Sequence, residues 1–203
     1  MRHSLLILAF FAVGITLGLG LRGSMPAPLA DGSAIGPAIF LLLVLVGVLV
    51  GSDLGCFRAA RGLGWRIALV PMAIIIGTLG AAWLAALALG VRTGPALASA
   101  GGFGFASLSS ALLAKEAGPA ESTLSLLVNL MRESFTFVFT PLLARWAGGL
   151  GPVASGGATA MDTTLPVIIR HSGSHFTVVA VVSGLVLCAL VPVITPLLLR
   201  LGS

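Results

Sequence analysis

Two carboxylates in this chain fall where carboxylates are costly. Glu133 lies near the middle of an apolar, membrane-length segment, about 122–145, and Asp162 lies within GGATAMDTTLPVIIR, residues 156–170. An ionised group at bilayer depth costs roughly 2.5–3.5 kcal/mol on insertion scales, so a membrane chain that keeps one there usually uses it. Such a carboxylate holds a cation while ionised and releases it more readily once protonated. Nearby in sequence are groups able to orient a polar solute: Asn129, Arg132, Thr163 and Thr164. Two plainer readings stand beside this one. Arg132 and Glu133 could form a buried structural ion pair, and Asp162 could be a cap in a surface loop.

The elements that must position these groups can be read from period and punctuation. At 100° per residue, Ser122, Ser125, Asn129, Arg132, Glu133, Thr136 and Thr140 fall within a sector about 100° wide. This polar stripe on an otherwise apolar helix turns Arg132 and Glu133 toward the protein interior, each with a partner. Ser134 falls on the opposite face, and Pro141 bends the end of the helix. Segment 153–170 has too few apolar positions for a regular spanning helix and is interrupted by Gly156, Gly157 and Pro166. The expectation is a broken helix whose first half ends near Met161 and whose second half, capped by Thr163 or Thr164, starts close to Pro166. Asp162 then sits in the break, where unwound carbonyls and the carboxylate accept from a cation, and the start of the second half faces an anion. A second interrupted segment, 96–114, carries GGFGFASLSS. Each interior glycine costs about 1 kcal/mol relative to alanine, so Gly102, Gly104, Ser107 and Ser109 are expected to line a cavity where the helix unwinds. A continuous helix with small residues for close packing is the alternative.

Composition places these elements in a membrane. With 58% hydrophobic and 8% charged residues and a mean hydropathy of +1.14, the 203 residues cannot cover a water-facing globule. The fold class is an all-α polytopic membrane protein, one transmembrane domain over 1–203. About seven membrane segments are expected, at 5–21, 36–55, 67–91, 96–114, 122–145, 153–170 and 176–199. Segment 5–21 has a rival reading as a signal peptide, because a basic start precedes it and Ala27-Pro28-Leu29-Ala30 follows. In segment 36–55, Gly47, Gly51 and Gly55 form a packing stripe, and Asp53 is either an interfacial residue or part of a polar pathway. The loop bearing Arg58, Arg61 and Arg66 is the densest in positive charge, which places it and the N-terminus in the cytoplasm. If every segment crosses, the C-terminus lies outside; a re-entrant segment changes that parity.

Several other chemistries find no support. Basic residues sit singly beside apolar runs, a topology pattern and not a nucleic-acid face. GxGxxG at 18–23 has no strand before it, so it is no dinucleotide site. Cys56 and Cys188 read as ordinary apolar-compatible thiols. His171 and His175 read as loop residues, with proton handling a minor alternative and no metal site. HExxH and GxSxG are absent from the sequence, so no enzyme is expected. A helix followed by an interrupted segment occurs at 67–114 and again at 122–170, the sequence pointer to a transporter site at a repeat interface.

Taken together, Gly102-Phe103-Gly104 with Ser107-Leu108-Ser109, Gly118-Pro119, Asn129 with Arg132-Glu133, and Gly157-Ala158-Thr159 with Met161-Asp162 and Thr164-Leu165-Pro166 resemble the C-terminal half of the lysine exporter LysO family across about 100–199. The first three helices are similar only in character. The resemblance implies export of L-lysine and its analogue thialysine across the bacterial inner membrane, with two essential intramembrane acids that fall on Glu133 and Asp162. Combined with the charge logic above, it leads to an expectation of proton antiport, with no cofactor and with lysine or a similar solute, the proton and the lipid bilayer as partners. A transporter or channel for another small solute or cation, or a subunit that transports only with a partner, is the alternative. This chain has Phe105-Ala106 where the family commonly has Trp-Tyr, which removes a contact that bears on substrate choice. Family members also carry more membrane helices ahead of the matched region, so a homodimer or a second membrane subunit is expected to complete the chain.

Overall fold

A computed structural model describes residues 66–201 without interruption, together with isolated helical positions at Val13, Thr16, Gly20, Pro37, Leu41, Val44 and Val48. The segments expected at 5–21 and 36–55, the Gly47 stripe, Asp53, Cys56 and the basic loop up to residue 65 otherwise lie outside the described residues. The chain divides into two units, Met1–Ala38 and Ile39–Ser203. In the first, the Thr16 hydroxyl donates to the Val13 carbonyl at 3.0 Å. The second contains the elements below, all helical among the described residues.

Helices are numbered from the first described one: α1 Arg66–Leu89, α2 Thr93–Ala100, α3 Ala106–Glu116, α4 Pro119–Ala147, α5 Leu150–Gly156, α6 Leu165–Ser172 and α7 Thr177–Leu201. Short 3-10 turns at Gly157–Met161 and Ser174–Phe176 join α5 to α6 and α6 to α7. Among the described residues, three stretches are long and apolar enough to cross a membrane: Ala68–Leu89, Pro119–Ala147 and Ser174–Leu201.

The start points of the shorter helices differ from the sequence reading in one consistent way. Pro95, Pro119, Pro152 and Pro166 mark breaks when read locally, yet each lies in the first turn of a helix. A first-turn N–H has no intrahelical acceptor, and proline's fixed φ already suits a helix, so Pro95, Pro119 and Pro152 begin helices that the reading starts later, whereas it already starts the helix after Thr164 close to Pro166.

The two interrupted segments return to the side they came from. Arg92, Pro95, Glu116, Ala117 and Glu121 line one cavity of about 350 Å³, while Asn129 Nδ2 donates to both Ser99 O at 3.0 Å and Ser109 Oγ at 3.2 Å. Helices α2 and α3 therefore run in opposite directions, with residues 101–105 as the tip. The second segment behaves alike: a Cβ on Gly149 would fall 2.0 Å from the Phe176 ring, so positions 149 and 176 share an end. Val153, Ala160, Ile168 and Ala180 form a buried cluster between them, with Val70 of α1, Leu165 and Phe176 packed on it. Helix α4 connects the two ends, starting beside Glu116 and finishing where Leu143 and Ala147 meet Gly151.

Helix α4 is buried on its polar side. Its buried residues are Ser125, Asn129, Thr136 and Thr140, whereas Leu127, Met131, Phe135, Val138 and Trp146 are exposed. Helix α1 likewise exposes Met72, Ile76, Trp83 and Leu87. A water-soluble helix buries its apolar stripe. The inverse arrangement is stable where the surroundings are hydrocarbon and hydrogen bonds can be made only inside the protein, which marks this as a membrane protein.

Candidate functional site

The tips of the two hairpins meet. The Ala158 N–H, in the turn after α5, donates to the Phe103 carbonyl at 2.9 Å. This contact depends on a bare position: Gly157 has φ of +62°, and a Cβ there would lie 2.4 Å from Phe103 O and 3.0 Å from Arg132 Nη2. Phe103 itself, fully buried, has φ of +47°. A non-glycine residue in that region is strained by roughly 1–3 kcal/mol and persists only when its surroundings impose it.

Asn129 imposes much of that geometry. Its Oδ1 accepts the Gly104 N–H at 2.7 Å, and its Nδ2 donates to Ser125 O at 2.8 Å as well as to Ser99 and Ser109. Ser109 and Ser125 hydroxyls bond to each other beside it. A Cβ on Gly102 would come within 2.7 Å of Asn129 Nδ2, so the tip closes directly onto this amide. Asn129 thus holds the first hairpin to α4.

Arg132 does the corresponding work at the second hairpin. Its Nε donates to Ser155 O at 2.8 Å, its Nη2 to Ala154 O at 2.9 Å and its Nη1 to Thr78 Oγ1 at 3.0 Å. Ala154 and Ser155 are in the last turn of α5, whose carbonyls lack intrahelical partners and carry the negative end of the helix dipole. The guanidinium answers both needs and ties α1, α4 and α5 together. Thr136 adds a hydroxyl contact to Ser155 at 2.7 Å. With five N–H donors on a guanidinium, three such bonds leave Arg132 donor capacity. Arg132→Lys is expected to lose at least one of these charged hydrogen bonds, about 1.5–3 kcal/mol. Thermal unfolding of the purified protein should show it as a midpoint lowered by about 6 °C; an unchanged midpoint would show that the fork is not needed.

A cavity of about 390 Å³ opens beside this point, walled by Thr78, Ala100, Val128, Asn129, Arg132 and Ser155 among others. Of the residues singled out from sequence, it brings together Asn129 and Arg132. Gly102, Gly104 and Ser109 are buried in the first hairpin, and Ser107 is exposed; none of the four is in this wall.

Glu133 is half-buried, and among the described residues it makes no hydrogen bond or ion pair. Asp162 is exposed at the end of the 3-10 turn, and its Oδ1 accepts the Thr163 N–H at 2.5 Å. No bond joins the two carboxylates. Thr164 occupies the cap position before α6 without making a side-chain cap; its hydroxyl donates back to Thr159 O at 3.0 Å. His171 Nδ1 lies 2.9 Å from Val167 O within α6, and the His175 ring is tilted by 43° against that of Phe176, with centroids 4.3 Å apart.

Sequence reasoning missed Thr78 and Ser155, and it gave Thr159 no role although that residue stands in the quoted Gly157-Ala158-Thr159 motif. Thr78 had a signal, being the sole hydroxyl side chain in α1. Ser155 lies among small residues where nothing in its spacing distinguishes it.

Apolar helices that bury polar faces define a helical membrane protein, in which two helix breaks meet near a small cavity. Residues 8–199 match the model of the family described as lysine exporter LysO, and the chain belongs to that family. It is a family of transporters and not of enzymes. The chain is 33% identical to the lysine exporter LysO of Escherichia coli (strain K12) over 156 residues, covering 77% of this chain and 52% of that protein. It is 34% identical over 98 residues to a putative lysine exporter of Haemophilus influenzae (strain ATCC 51907 / DSM 11121 / KW20 / Rd), covering 48% of this chain and 50% of that one. The chain spans about half the length of these relatives. No solved structure matches it. The match extends well ahead of residue 100, where the quoted motifs begin.

Proposed function

We propose that this chain exports L-lysine or a related basic amino acid across the bacterial inner membrane in exchange for protons. The observation that supports this most is the junction of the two hairpin tips at Arg132, beside a cavity and one residue from Glu133, in a member of a lysine exporter family. Arg132, with donor capacity left, receives the solute carboxylate. Glu133 and Asp162 alternately hold its ammonium group and the coupling proton; an ionised carboxylate retains a cation, and protonation releases it. Thr163 and Thr164 follow Asp162 and position polar groups of the solute. Asn129, whose amide is fully engaged, acts by holding the first tip in place.

In this reading α1, α4 and α7 cross the membrane and segments 93–116 and 150–172 enter it from opposite faces as re-entrant hairpins. Their irregular backbone is buried in protein, a setting in which a bilayer tolerates it. With the Arg58 loop in the cytoplasm, the turn at 118 then lies outside and the turn at 148 inside. Reporters fused after residues 118 and 148 should read outside and inside respectively, and the reverse pair would mean that segment 93–116 crosses. A chain that transports only together with a second membrane subunit, or as a homodimer, is the second reading, supported by its covering about half of its relatives' length.

Glu133→Gln and Asp162→Asn are each expected to lower proton-driven lysine transport at least about 100-fold, the scale on which removal of one essential charged group acts. Unchanged transport in both variants sinks the mechanism.

A further inference from the structure

The Arg132 cavity is one of three that share walls. It has Ala100 and Val128 in common with a larger, mostly apolar cavity of about 520 Å³ between α1, α2 and α4. That second cavity shares Arg92, Pro95 and Glu121 with the outermost one, about 350 Å³, which Glu116 and Arg200 also line. At 1.5 Å per residue, Asn129 and Arg132 lie about 12 and 17 Å along α4 from Glu121. Half of a bilayer core is about 15 Å, so the series leads from one membrane face to mid-depth.

Each part suits one feature of a basic amino acid. The mouth carries both carboxylates and guanidinium groups, able to meet an ammonium and a carboxylate on one small molecule. Small residues, Ala82, Ala86 and Ala96, keep the middle open and apolar, suited to an aliphatic side chain. Ser99 also lines this middle part.

We propose that the solute moves between the Arg132 cavity and the membrane face bearing Arg92 through this corridor, and that Glu116, Glu121 and Arg92 form a second, weaker site for it at the mouth. The proposal rests on the transporter reading above. The mouth site acts on encounter at one face alone, and the middle cavity, which shares Ala100 and Val128 with the Arg132 cavity, carries the solute to the inner site.

The test uses the full chain in inverted and in right-side-out vesicles, with labelled lysine presented at each face in turn. Glu116→Gln combined with Glu121→Gln should raise the half-saturating lysine concentration at the Arg92 face at least about threefold, as partly exposed charge contacts do, and leave the other face unchanged. Ala96→Trp, which fills the middle cavity at a residue outside the wall of the Arg132 cavity, should abolish flux in both directions while the detergent-solubilised protein still binds labelled lysine. An equal shift at both faces, no shift at either, or wild-type flux in Ala96→Trp overturns the corridor while leaving the export function intact. A wild-type chain that neither binds nor moves lysine overturns both.

Discussion

Asn129→Ala should lower the thermal midpoint of the purified protein by about 10 °C and abolish transport. The amide makes one acceptor and three short donor contacts, to Gly104 N–H, Ser99 O, Ser125 O and Ser109 Oγ. Ser125 O retains its place in α4 and Ser109 keeps Ser125, so the truncation strands the Gly104 N–H and leaves the Ser99 carbonyl only a long contact, 3.4 Å, from the Gly102 N–H. A buried group left without a partner costs about 1–3 kcal/mol. The first loss in full and part of the second, at about 2–4 °C per kcal/mol for a chain of this size, give the predicted shift. The loss of transport follows because the same bonds hold the tip that meets the second hairpin. A midpoint within about 2 °C of wild type would show that the tip does not depend on Asn129.

Gly157→Ala should remove transport with a smaller effect on stability. The added carbon would lie 2.4 Å from Phe103 O, at a backbone φ of +62°, which together cost about 3 kcal/mol. The bond it threatens, from Ala158 N–H to Phe103 O, contributes only about 1 kcal/mol net. The cost exceeds the bond, so the tips part and the substitution is not absorbed in place. Gly80→Ala is the matched control, because a Cβ there meets nothing within 4 Å; it should transport as wild type does. Equal transport in Gly157→Ala and Gly80→Ala would mean that contact between the tips is not required.

Periodicity made one part of this site legible. Ser125, Asn129, Thr136 and Thr140 could be placed on a single face of α4 because a helix fixes 100° per residue, and that face is the buried one. The return of 93–116 on itself was not legible. A broken spanning helix and a re-entrant hairpin have the same glycines and serines, and only the position of Glu116 beside Arg92 and Pro95 separates them. The roles of Asn129 and Arg132 were hidden for a related reason. Their partners are largely backbone groups, Gly104 N–H and the carbonyls of Ser99, Ala154 and Ser155, and a backbone group has no signature in sequence. The same holds for Thr164, whose position before α6 could be read from Pro166 but whose hydroxyl turns to the Thr159 carbonyl.

The central claim is that this chain moves lysine outward at the expense of inward proton movement. Accumulation of labelled lysine by inverted membrane vesicles with an acid lumen tests it most directly. The account predicts uptake that requires the proton gradient, collapses with a protonophore and is lost in Glu133→Gln and Asp162→Asn. Uptake indifferent to the gradient, or retained in both variants, would contradict it.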